Sequence, residues 1–201
     1  GYTGIGTRAV PFGGHLDGNG HTITLEMSDS VASQYAGVFG YINPVGGSKP
    51  SVKSLKVISD IDLDYPTRNN TAYYIGSLAG ALGSSAPSIS LSDVDVQVNN
   101  IEITTSYSDN DSDAYYVGGI VGYGAVSNVD VVIYGNIAAE GKGLFYVGGV
   151  TGAGSVKATN VTFCEGAEKI SANSSDKSGS CVAIASAYTF SDITFSDVQI
   201  E

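Results

Sequence analysis

Four phrases of one pattern recur along the chain: YAGVFG (35–40), YIGSLAG (74–80), YVGGIVG (116–122) and YVGGVTG (146–152). Their last glycines, Gly40, Gly80, Gly122 and Gly152, lie 40, 42 and 30 residues apart. CVAIAS (181–186) is a degenerate fifth copy that has lost the glycines. Internal repetition of this length constrains a fold more than any composition does. One copy cannot bury its own apolar face, so the copies must stack.

A second phrase follows each of the first. Aligned on their apolar residues, these phrases place Leu55, Val94, Val129, Val161 and Ile193 in one column. Val57, Val96, Val131, Phe163 and Phe195 form a second, two residues on, and Ile61, Ile101, Ile137, Ile170 and Ile200 a third. Between the first two stand Lys56, Asp95, Asp130, Thr162 and Thr194, all polar. This is the period-two alternation of strands with one buried face. Just before the first column come Ser54, Asp93, Asn128, Asn160 and Asp192, short polar residues suited to a tight corner.

Each copy holds about three strand-length runs and no helix-length periodic segment. The expected fold is all-β: a right-handed parallel β-helix of about five or six coils, one coil per copy. A β-sandwich is the rival, but it gives no reason for columns that stay in phase. The whole chain, 1–201, is expected to be one domain, long enough to bury a core. Residues 1–30 supply entry strands and a turn, 31–180 the glycine-phrase repeats, and 181–201 a terminal coil. Val38, Leu78, Ile120 and Val150 are expected as one inward row, with Ala36, Gly76, Gly118 and Gly148 as a small row beside it.

Charge excludes several partners. Nine basic against twenty acidic residues leave a net charge of −11. A nucleic-acid footprint needs a dense cationic stripe, and none is present. No apolar run approaches the ~18 residues of a membrane helix. The chain starts at Gly1-Tyr2 without Met, so any targeting segment is expected to have been removed already.

GGIVG at 118–122, with GSLAG and GGVTG, resembles the GLUG motif, a repeat named for its Gly-Leu-Gly pattern. FGGHLDGNGHTIT (12–24) looks like the segment that often precedes such repeats, and AGVFGYI (36–42) like a first repeat. The resemblance covers nearly the whole chain. It implies a right-handed β-helix in secreted or cell-surface bacterial proteins, often adhesin-like. Such repeats also accompany IgA-protease-type metallopeptidases as non-catalytic regions. The resemblance supplies no catalytic residue, and none is assigned.

Several side-chain groups invite a chemical reading. His15, Asp17 and His21 offer three metal ligands, but D-G-N-G between them reads as a tight turn with Gly18 and Gly20 at positive φ. Asp109, Asp111 and Asp113 have the spacing of calcium-loop ligands. They lack the Gly and distal Glu of an EF-hand and read as a solvated acidic loop, with calcium as the alternative. Asp60, Asp62 and Asp64 alternate with Ile61 and Leu63 and should point outward. Paired carboxylates on a β-helix face suit polysaccharide cleavage, but solvated surface is the preferred reading. Cys164 and Cys181 fall in different phrases and are expected as free thiols, with a disulfide as the alternative. No cofactor is expected, and no nucleophile, phosphate-loop or zinc-protease motif occurs.

The repeat spacing varies, so the extra residues must be loops. They fall mainly at one place in each copy: 64–72, 105–114, 139–143 and 172–180. Insertions at one register position emerge on one face. Tyr65, Arg68, Tyr107 and Tyr115 are the expected binding residues of that face. The expected function is a non-enzymatic extracellular module binding a glycan or protein. A structural spacer is the alternative, and a polysaccharide-degrading enzyme a remote one. Open strand edges at a terminal coil are a route to self-association.

Overall fold

The computed structural model describes residues 2–30, 33–67, 69–83, 89–107, 113–164, 170–175, 180–183 and 189–196. The apolar alternation becomes strand throughout, and no helix occurs among the described residues. Among the described residues every pairing between strands is parallel and joins a repeat to the next one.

Among the described residues the strands form three stacked sheets. The largest runs through His15–Ser30, Ser51–Tyr65, Ser90–Thr105, Val129–Ile133 and Ser155–Phe163, with Ile137–Gly141 and Ile170–Ser174 extending it. A second stacks Tyr35–Ala36, Ala72–Gly76, Ala114–Gly118, Leu144–Gly148 and Ser180–Ala183. The third stacks Phe39–Ile42, Ala79–Leu82, Val121–Tyr123 and Thr151–Ala153. An all-β chain with parallel strands in stacked sheets is consistent with a β-helix.

The inward columns fill the space between the sheets. Leu55 pairs with Val94 and Val94 with Val129; Val57 pairs with Val96 and Val96 with Val131. Ile61, Ile101, Ile137 and Ile170 form one ladder, and Val38, Leu78, Ile120 and Val150 are buried as expected. Ile200 lies outside the described residues.

Two alignments differ from expectation. In the fourth repeat Val161 pairs with Val131 rather than standing in the Val129 column, and Phe163 pairs with Ile133. Thr159 takes the register of Ile193, and Asn160 sits against Asp130. A two-residue slip leaves alternation intact, so apolar pattern alone does not detect it. Ala36 pairs with Ile75, not Gly76, because YAGVFG is one residue shorter than the other phrases after the aligned tyrosine.

Corners depend on residues that accept a left-handed backbone. Ser54, Asp93 and Asn128 have φ of 50°, 50° and 58° at equivalent points of three repeats. Short polar side chains tolerate this region better than branched ones. The D-G-N-G segment is not a hairpin turn. It is a bulge within His15–Ser30, where the register against Ser51–Tyr65 shifts between Asp17 and His21. Asn19 and Gly20 take positive φ there, at 48° and 73°, and Gly18 does not. The Asn19 N–H donates to Asp17 Oδ1 at 3.0 Å, which closes the bulge.

The glycine phrase exists for close approach. A Cβ on Gly118 would lie 2.1 Å from Val121 O, and one on Gly122 would lie 2.7 Å from Tyr116 O. The chain passes from second to third sheet with no room for a side chain at these positions. The carbonyls of Tyr74, Tyr116 and Tyr146 lie against Gly80, Gly122 and Gly152, and the rings of these tyrosines stack. Tyr35, Tyr74, Tyr116 and Tyr146 form a half-buried ladder with centroid spacings of 5.1, 5.2 and 4.8 Å.

Candidate functional site

The connections leave four successive repeats at one register position; residues 139–141, expected in a loop, continue the strand Ile137–Gly141, so that connection is short. Strands end at Tyr65, Thr105, Gly141 and Ser174, and resume at Ala72, Ala114, Leu144 and Ser180. Their bases are tied from repeat to repeat. Thr105 Oγ1 donates to Lys142 O at 2.9 Å and accepts from Lys142 N at 2.6 Å. Tyr107 Oη donates to the same carbonyl at 2.7 Å. Ser174 Oγ donates to Gly143 O, and Ser175 Oγ to Gly141 O, each at 3.0 Å.

Two expected binding tyrosines are not on this face. Tyr65 and Tyr115 are 1% and 0% exposed, stacked inside with Tyr73 and Phe145. Adjacent strand residues point to opposite faces, and Val117, two residues after Tyr115, is inward. That parity sends Tyr73, Tyr115 and Phe145 inward and their neighbours Tyr74, Tyr116 and Tyr146 outward. Burial raises the pKa of both Tyr65 and Tyr115 above the ordinary phenol value, and the Tyr107 hydroxyl adds to the shift at Tyr115. Tyr107 remains partly exposed at the loop base. Arg68 lies outside the described residues.

Asp113 also departs from expectation. It is fully buried rather than solvated. Its carboxylate accepts Asn69 N at 3.0 Å and Thr71 N at 2.6 Å, while its own carbonyl accepts Leu144 N at 2.9 Å. It therefore anchors residues 69–71 of the preceding repeat's connection and the strand Leu144–Gly148 of the next. Asp109 and Asp111 lie outside the described residues.

Beside the loop bases, a depression of about 280 Å³ opens on the outer face of the largest sheet. Ala138 is at its floor, because its neighbours in register, Glu102 and Ser171, carry longer or polar side chains. Glu140 and Asn173 stand two residues further along their strands. Asn136 Nδ2 donates to Glu102 Oε1 at 3.1 Å and so orients that carboxylate. Asn136 Oδ1 is shielded from solvent and has no hydrogen-bond partner among the described residues. No aromatic residue lines the depression. Sequence reasoning did not single out Glu102 or Glu140. Alternation with Ile101, Ile103 and Ala139 marks both as outward, but only register makes them diagonal neighbours.

The remaining candidates are engaged or apart. Asp17 forms the one ion pair among the described residues, 3.0 Å from Lys53 Nζ. The hydrogen bond from Lys53, with the Asn19 N–H, holds its carboxyl below the usual range. His15 Nδ1 lies 2.9 Å from Ser51 Oγ, and His21 pairs in register with Leu55. Asp60 and Asp62 are exposed as expected, and Asp64 accepts from Thr104 Oγ1 at 3.2 Å and Ser106 Oγ at 3.1 Å. Cys164 and Cys181 are free. Among the described residues no three His, Cys, Asp or Glu side chains converge as a metal site.

Comparison of the chain with protein-family models, with curated proteins and with solved structures returns no match.

Proposed function

We propose that this chain is a right-handed parallel β-helix of five or six coils serving as a non-enzymatic, extracellular recognition module of a bacterial surface protein. The resemblance of its glycine phrases to the GLUG motif supports that setting, and the right-handed preference of parallel crossovers supports the hand. The observation that carries the reading is the alignment of connections. Loops leave successive repeats at one register position, with their bases tied to one another by Thr105, Tyr107, Ser174 and Ser175. Connections anchored this way hold a surface in place at little entropic cost on binding. The buried Tyr65 and Tyr115 brace that surface, and Tyr107 remains for contact.

The test is a binding screen against glycans and matrix proteins, using the intact chain and a variant with residues 108–112 replaced by a short Gly-Ser link. Recognition predicts a ligand that the variant loses while its circular dichroism is unchanged. A ligand bound equally by both, or none bound by either, would assign the chain to a spacer role. Release of oligosaccharide from a polysaccharide would return the enzymatic reading.

A further inference from the structure

We infer that the depression over Ala138 is a subsite for one residue of a cationic, amino-sugar polysaccharide, a proposal that rests on the recognition reading above. Size comes first. Pockets that enclose a drug-sized ligand run from about 300 Å³ upward. At about 280 Å³ and open to the sheet surface, this depression suits a single ring of a longer chain rather than a whole compact ligand.

Chemistry narrows the class. Glu102 and Glu140 stand on neighbouring strands, offset by two residues, which places their Cα atoms about 8 Å apart. Neither forms an ion pair among the described residues. Glu102 is held by Asn136, so its remaining acceptor capacity is pre-oriented. Asn173 and Ser171 add neutral donors and acceptors. Such a set matches a ligand rich in hydroxyls that also brings positive charge. A neutral sugar ring would find no aromatic face to stack on here. An ammonium at the ring answers the two carboxylates, and its hydroxyls answer the Asn173 amide and Ser171. The net charge of −11 favours approach of the same class of polymer.

The experiment is calorimetric titration of the full chain in mildly acidic buffer, where an amino sugar carries its ammonium. Four ligand and protein arms are compared. A short oligomer of 1,4-linked glucosamine is expected to bind, more weakly as salt is raised. Its fully N-acetylated counterpart, with no cation, is expected to bind about tenfold more weakly or not at all. The double variant Glu102→Gln, Glu140→Gln should lose about tenfold or more for the glucosamine oligomer. Ala138→Phe fills the floor, keeps both carboxylates and should also lose binding. Unchanged circular dichroism shows that each variant is folded. Equal binding of the N-acetylated oligomer overturns the inference, as does wild-type affinity in either variant. Equal or tighter binding of oligolysine assigns the site to a cationic peptide instead. Silence from every oligomer removes the subsite alone, because the loop-shortening screen tests the recognition reading with other ligands.

Discussion

A buried carboxylate persists in a folded chain only where something holds it, and Asp113 is held by two backbone N–H groups of the preceding repeat's connection. Removing the acceptor leaves both donors shielded and unmet. Asp113→Ala should therefore destabilise the chain by about 3 kcal/mol, read as a lower urea midpoint at unchanged slope. A midpoint equal to the parent would mean that water replaces the carboxylate freely and that the connection is not anchored there. The residue scale is also where sequence reading was least complete. D-x-D-x-D spacing says nothing of burial, and only the neighbouring repeat's N–H groups make Asp113 an anchor. Tyr115 was more legible, since parity with Val117 already places it inward.

At the scale of the element, the corner matters more than the strand. Asp93 is exposed, so its side chain contributes little packing, yet its backbone sits at φ 50°. Asp93→Gly should leave stability within about 0.5 kcal/mol, while Asp93→Val should cost about 1–2 kcal/mol through the branched Cβ. Thermal melts of the pair check this: equal melting temperatures would show that the corner relaxes out of the left-handed region. Period-two patterning marked the strands and four of the five repeats in register. It missed the fourth, because a slip of two residues keeps every apolar side chain on the same face.

Across the molecule, the inner aromatic ladder couples successive repeats. Tyr65 and Tyr115 stack edge-on at 5.3 Å, and burial raises both phenols above their ordinary value of 10.0. The neutral form is thus favoured in the folded state. The stability this brings is complete below pH 10 and is withdrawn as pH rises beyond it. Alkaline titration should show phenolate absorbance rising in two phases, the later one together with loss of the β-sheet circular dichroism signal. A single phase near pH 10 with the fold retained would place these hydroxyls in contact with water.

By itself, the sequence determined that this chain builds stacked, parallel, repeating strands with defined inward columns, glycine corners and connections on one face. Repetition and alternation are local properties that survive in one dimension. The tertiary structure alone decided which of two alternation-preserving registers the fourth repeat adopts. It also decided that Asp113 is an anchor and that Glu102, Asn136 and Glu140 gather around Ala138. Each of these depends on which residue of one repeat faces which residue of the next, across 30 to 44 positions of chain. Backbone pairing selects that register by packing the whole stack at once.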